Sequence, residues 1–335
     1  MRAWQISSFG IDSLEFVERP TPTPGPGEVL VGIRAISLNY RDLLMIKGLY
    51  NPKMKLPRIP CSDGAGEVIA VGEGVNAWKP GDRVAGIFMQ NWLDGALTPA
   101  RARGALGGDI DGMSTDFIVL NQKGIVEIPE HLSYQEAATL PCSAVTAWNA
   151  LSAAELKPGA TVLIQGTGGV SIFALQFARL RGLRVLGVSS SHTKLERAYG
   201  LGLDAGLNYR DNPEWDRWAV EQTGGVGVDL VVEVGGLGTL PRSLKAIRVG
   251  GTVAQVGVLA SKEAEPLPMA TILHKQARIQ GIYVGSRKDF VEMNKAVSLA
   301  QLRPVGENFH WTQAREALER MEEASHFGKL VLTVA

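Results

Sequence analysis

The chain has 335 residues, 45% hydrophobic and 20% charged, with 34 basic against 34 acidic side chains and a formal net charge of zero. This is the composition of an ordinary soluble globular protein, and the charge balance gives no basic field for nucleic acid or an anionic membrane. The length implies two domains, and two cysteines, Cys61 and Cys142, exclude a disulfide framework and point to a reducing, cytoplasmic setting.

The first residues, Met1-Arg2-Ala3-Trp4-Gln5-Ile6, open as a strand and not as a basic, then apolar, signal segment. No apolar run approaches the roughly 20 residues a membrane span needs. Residues 1–125 read as short strands and turns. Prolines 20, 22, 24 and 26 punctuate an early loop, and 28–36 alternates as a long strand. A short helix over 39–48 ends at Gly48, followed by glycine-bounded strands at 64–72 and 81–87. Residues 90–112 form a long polar loop of the kind that is functional or mobile, and strands return at 114–120 and 124–128. This density of short strands predicts a small barrel-like β unit.

The pattern then changes. Ser133-Tyr134-Gln135-Glu136 matches a capping box and opens a helix. Strands follow at 161–165, 184–189, 205–208, 228–234 and 252–258, with helices at 170–182, 193–200, 213–223 and 239–247 between them. Such alternation predicts an α/β domain with a parallel sheet and helices on both faces. A Pro-containing loop (Pro266, Pro268) leads to a strand at 278–284, helices at 288–302 and 312–324, and a last strand at 329–334.

The stretch 161–177 carries the chemistry. The apolar run Thr161-Val162-Leu163-Ile164 predicts a strand buried on both faces, then Gly166-Thr167-Gly168-Gly169 turns into a helix from Val170. Such a turn lets backbone approach a diphosphate and aims unpaired N–H groups of the helix start at it. Ser171 stands where the usual third glycine would be. A second apolar strand about 20 residues on has the spacing of a dinucleotide unit.

With these pieces in order, the chain resembles the medium-chain dehydrogenase/reductase superfamily along nearly its whole length. The matching stretches are residues 24–31, Gly64-Ala65-Gly66-Glu67-Val68, 71–75, Lys79-Pro80-Gly81-Asp82-Arg83-Val84, Leu156-Lys157-Pro158-Gly159, the glycine turn and Gly328-Lys329-Leu330-Val331-Leu332. It looks closest to the zinc-free, quinone-oxidoreductase-like branch. The resemblance implies a Rossmann, doubly wound NADP-binding domain at 126–266. It also implies a GroES-like, mainly-β catalytic domain split between 1–125 and 267–335, and a homodimer formed through the edge strand near 278–284.

The zinc-using members take a catalytic ion from positions that match Asn39, Ser62 and Cys142 here. Asn39 and Ser62 are poor ligands, Cys61 is one position off, and the loop 90–112 holds no cysteine where the structural-zinc lobe has four. No metal of either kind is expected, and both cysteines read as small buried hydrophobes.

An NAD site places Asp or Glu at the end of its second strand. Here that end reads Ser189-Ser190-Ser191-His192-Thr193-Lys194, with no carboxylate to repel a 2′-phosphate, which favours NADPH/NADP. The bland alternative is that Ser191 or Thr193 caps the next helix and Lys194 is a solvated charge. By resemblance, Tyr209 closes over the same phosphate, Thr146 contacts the nicotinamide, Gly257, Val258 and Val284 grip its carboxamide, and Lys329 reaches the diphosphate. Gly166, Thr167, Gly168, Gly169 and Val170 form the diphosphate turn.

Without a metal, developing negative charge falls to organic groups. Tyr50 matches the proton-donating tyrosine of enoyl-thioester reductases, though a tyrosine at such a loop is equally often structural. Arg41 either binds substrate charge or pairs with Asp42 or Asp63. Asn39 matches a residue near the nicotinamide ribose. These features predict a zinc-independent, NADPH-dependent oxidoreductase reducing a quinone, enone or related carbonyl. The alternatives are an alcohol dehydrogenase-like enzyme working on an alcohol/aldehyde pair and a nucleotide-binding sensor with little turnover. The partner is a small-molecule substrate, with no nucleic acid and no membrane.

Overall fold

The computed structural model describes residues 1–258 and 266–334. Its strands in chain order are β1 (Arg2–Ile6), β2 (Leu14–Glu18), β3 (Glu28–Leu38), β4 (Asp63–Val71), β5 (Arg83–Gly86), β6 (Phe117–Asn121), β7 (Ile125–Glu127) and β8 (Thr161–Gln165), then β9 (Arg184–Ser189), β10 (Ala205–Asn208), β11 (Val228–Glu233), β12 (Ile247–Gln255), β13 (Arg278–Gly281), β14 (Gly306–His310) and β15 (Lys329–Thr333). The chain divides into two compact units, residues 1–145 with 284–335, and residues 146–283.

These boundaries lie later than the expected 125/126 and 266/267. β7 pairs with β5, which carries the chain past 125 inside the first unit. β13 pairs in parallel with β12, which keeps 278–281 in the second unit.

The second unit is built on a six-stranded parallel sheet in the order β10-β9-β8-β11-β12-β13. The order reverses beside β8, and in doubly wound sheets that switch point is where ligands bind. β8 is buried along its whole length, as its unbroken apolar run requires. Burying side chains such as Val162, Leu163 and Ile164 contributes about 2 kcal/mol each. Leu163, Leu186, Val231 and Val253 continue that layer, and Trp215, Leu240 and Leu244 from the flanking helices close over it. β12 starts at Ile247, earlier than the expected 252, so Gly250 and Gly251 lie inside the strand and do not bound it.

The first unit carries a seven-stranded sheet, six strands in the order β14-β15-β3-β4-β5-β7 and β6 also on β3. β3 is the spine: its first half pairs with β6 and its last residues with β15. Ile33, Ile36 and Leu38 from it meet Leu43, Leu106, Trp311 and Leu330 in one core. Residues 87–116 contain no regular element and are tied by the bridges Met89↔Ala105 and Leu106↔Ile110. The helix expected from Ser133 is interrupted. Ser133 caps a single turn, Tyr134–Ala137, a wider turn follows over Leu140–Ala144, and regular helix resumes at Val145–Ser152. Pro141 lies in that wider turn, where its missing N–H removes one regular bond. No helix among the described residues is long and apolar enough to cross a membrane.

Candidate active site

In the second unit the glycine turn has the expected form. Gly166 has φ +67°, which favours glycine, and its N–H donates to Val188 O at 2.7 Å. Gly168 is the N-cap of the helix Gly169–Leu180. A Cβ built on Gly168 would meet no atom within 4 Å. The bare backbone is therefore not demanded by packing of the chain, and the space above it suits a diphosphate against the helix start. Ser171 is buried and donates to Gln165 O at 2.6 Å, so the hydroxyl at the third-glycine position closes the turn from beneath.

The end of β9 corrects the expectation in part. Ser191 is the N-cap of the helix His192–Tyr199 and accepts from Lys194 N at 3.4 Å, which is the bland reading of that serine. Ser189 is buried and accepts from Ser191 N at 3.3 Å, while Tyr209 is partly exposed. Asp211 lies 2.7 Å from His192. A carboxylate thus stands beside this corner, where the linear reading saw none. Thr146 is buried, and Val258 is exposed beside Gly257. A Cβ on Gly257 would meet Val234 O at 2.4 Å, so here close backbone approach requires glycine.

The other expected residues, Asn39, Arg41, Tyr50, Val284 and Lys329, lie in the first unit. Val284 falls outside β13 and has φ +57°, a rare conformation for a β-branched residue that costs about 1–3 kcal/mol and marks functional sites. Lys329, matched by resemblance to a diphosphate-binding position, points its ammonium into the first unit. It is 3% exposed, and its ammonium donates to Leu38 O at 2.6 Å, Asn39 Oδ1 at 2.5 Å and Ser143 Oγ at 3.2 Å. Pairing of Leu330 with Leu38 brings these groups together across 290 residues of sequence.

The bonds around Asn39 run in one direction. Asn39 Nδ2 donates to Ser62 Oγ at 3.4 Å, and Ser62 Oγ donates to Asp63 Oδ1 at 2.7 Å. Asp63 Oδ2 accepts from Cys142 N at 3.0 Å, and Asp42 accepts from the N–H groups of Asn39 and Ser62. Burial pushes the Asp42 carboxyl up to about 6, with Arg41 pulling it down and the Asp63 charge adding to the rise. Burial also raises Asp63, against the opposing pull of Lys329. The Cys142 thiol is pushed up by burial and by the Asp63 charge, so it stays protonated at neutral pH. Cys61 is buried with φ +71°, and its thiol is raised for the same reasons. Both cysteines are free. Among the described residues no group of three His, Cys, Asp or Glu side chains comes together to hold a metal ion.

Arg41 donates to Leu106 O at 2.7 Å and lies 3.6 Å from Asp42. Its guanidinium sits over the rings of Phe88 at 4.9 Å and Tyr50 at 5.9 Å. The pairing with Asp42 anticipated as one alternative is present. Tyr50 is 45% exposed.

Sequence reasoning missed Glu233. Fully buried at the end of β11, it accepts from Gln165 Nε2 at 2.8 Å, Gly235 N at 2.7 Å, Gly236 N at 3.0 Å and Thr239 Oγ1 at 2.6 Å, and also from the Ser243 hydroxyl. It ties the strand end before the glycine turn to the loop before Thr239. Its one available signal was an acid within the apolar run Val231-Val232-Glu233-Val234.

Residues 25–130 match the alcohol dehydrogenase GroES-like domain, and residues 169–298 match the zinc-binding dehydrogenase family. A zinc-type alcohol dehydrogenase-like protein of Schizosaccharomyces pombe is 43% identical over 97% of this chain and 96% of its own. An acryloyl-coenzyme A reductase of Metallosphaera sedula is 30% identical over 95% of this chain and 96% of its own. A solved NAD-dependent alcohol dehydrogenase has a TM-score of 0.91 and 34% identity, covering 100% of both chains. The doubly wound sheet, the open glycine turn and this likeness along the full length place the chain in the medium-chain dehydrogenase/reductase superfamily of nicotinamide-coenzyme oxidoreductases.

Proposed function

We propose that the protein is an NADPH-dependent reductase of an activated double bond or carbonyl, a quinone or enone, working without zinc. The observation that carries the metal-free reading is the chemistry at Asn39. Its Oδ1 already accepts from a buried ammonium, and Ser62 donates to Asp63, which leaves Cys142 as the one soft donor of the three. Catalytic zinc takes three ligands from thiolate, imidazole and carboxylate, so this donor set does not fit it.

The coenzyme fits better. The open backbone from Gly166 to Val170 would hold its diphosphate, and Ser190, Lys194 and Tyr209 its 2′-phosphate. When bound, the reduced nicotinamide supplies the hydride. The Tyr50 phenol would donate the proton, and Arg41 beneath its ring adds positive charge that favours an anionic oxygen. The relative that reduces acryloyl-coenzyme A supports an activated-alkene acceptor. The competing coenzyme, NADH, is favoured by Asp211 and by the NAD-dependent relative.

The test is oxidation of NADPH and NADH in parallel against quinones, enones and aldehydes. Faster turnover of NADPH with an enone or quinone is expected. Preference for NADH overturns the coenzyme assignment, and binding without turnover favours a sensor. We further propose a homodimer through β13, whose four residues are all exposed at a sheet edge. Sedimentation would report it, and an unchanged mass for Ile279→Lys would remove the edge from the interface. Two free thiols suit a cytoplasmic, reducing setting.

A further inference from the structure

We propose that Lys329 is a positioning residue of the first unit: its ammonium fixes the Asn39 carboxamide and the Ser143 hydroxyl, and it does not hold the coenzyme diphosphate. This deepens the metal-free reading above and rests on it. An ammonium has three N–H donors, and Leu38 O, Asn39 Oδ1 and Ser143 Oγ take all three. None is left for a phosphate oxygen.

The amide orientation follows from this. With Oδ1 on the ammonium and on Ser143 Oγ at 3.0 Å, Nδ2 points to Ser62, and the hydroxyl of Ser62 points to Asp63. Every bond from Lys329 to Asp63 is donated in the same direction, so each polarises the next. Turning the amide over would set its NH2 against the ammonium. A fixed row of dipoles of this kind spares the reaction the cost of ordering them when charge develops. The covalently attached cation thus supplies a buried positive charge at the head of the row that ends on Asp63.

Lysine-selective 15N NMR of the full chain tests the placement. A slowly exchanging ammonium signal is expected, absent from Lys329→Met and unmoved when NADPH or NADH is added. A signal that shifts on coenzyme addition as a phosphate contact would overturn the proposal. Lys329→Met should keep coenzyme affinity within about twofold while kcat falls about tenfold or more. A tenfold loss of coenzyme affinity with kcat kept restores the diphosphate role. Removing the ammonium leaves Asp63 without its buried cation, so Lys329→Met/Asp63→Asn is the second variant. It should regain melting temperature but not kcat; recovery of both would reduce Lys329 to charge balance. The NMR and coenzyme arms decide the placement even if no acceptor is turned over, which separates failure of this proposal from failure of the functional one.

Discussion

Two glycine-bearing sites, one in each unit, use glycine for opposite ends. Around Cys61 in the first unit, a Cβ on Gly112 would strike Cys61 O at 2.1 Å, so the chain itself fills the space. In the turn after β8, a Cβ on Gly168 would meet nothing within 4 Å, so the space is kept for something else. The same contrast holds for polar groups. The Lys329 cluster spends its buried ammonium, amide and hydroxyls on one another, whereas the glycine turn presents unpaired helix N–H groups outward. The open backbone cradle at one site and the closed polar cluster at the other teach where ligand selection and internal positioning reside.

The largest expected effect breaks the open side. Gly168 has φ −77° and ψ 180°, extended backbone that any residue adopts. Gly168→Val should therefore keep the fold, at a cap cost of about 1 kcal/mol or less. Coenzyme affinity, followed by fluorescence titration, should fall about 1,000-fold, or ~4 kcal/mol. Unchanged affinity would mean that the space above the turn is not the diphosphate site.

Glu233→Ala sharpens the same side. It leaves the donors of Gly235, Gly236, Thr239, Ser243 and Gln165 without their acceptor, at a cost of about 3 kcal/mol in urea unfolding. A loss below about 1 kcal/mol would show that the carboxylate does not secure this end of the sheet.

The closed side is read through pH. Asp42 holds its proton up to about pH 6 when folded, against 3.8 for the ordinary carboxyl. Between those values the folded state binds more protons, so stability falls as pH rises through the window. The shift of about two units corresponds to about 3 kcal/mol. Asp42→Asn removes the slope, so wild-type stability relative to the variant should drop by that amount between pH 4 and pH 7. A constant difference would mean that the carboxyl is not desolvated.

Tyr50→Phe is the smallest change. The ring is half-exposed, so melting should not move, while turnover falls about 100-fold if the phenol is the proton donor. Unchanged turnover assigns the proton to solvent.

The legibility of the two units differs in the same way. β8 and β9 appear with the residues expected from sequence, because apolar runs covered on both faces announce themselves locally. β14, Gly306–His310, was invisible: only alternate residues are partly covered, and the run is polar. The glycine turn was legible from adjacent residues. The Lys329 cluster was not, because its partners lie in β3, the Asn39 corner and the turn at Ser143, and only strand pairing brings them together. Family spacing matched Lys329 to a diphosphate position, and nothing local in the sequence announced its bonds to Leu38, Asn39 and Ser143. Asp211 was missed for a related reason: Asp211 meets His192 from 19 residues away.

The metal-free centre is tested most directly by measuring bound zinc in the purified protein and turnover of a responsive enone or quinone with NADPH before and after dialysis against a chelator. No stoichiometric zinc and an unchanged rate are the results predicted from Lys329, Asn39 and Ser62. One zinc per chain, with activity lost on chelation and restored by the ion, would contradict them.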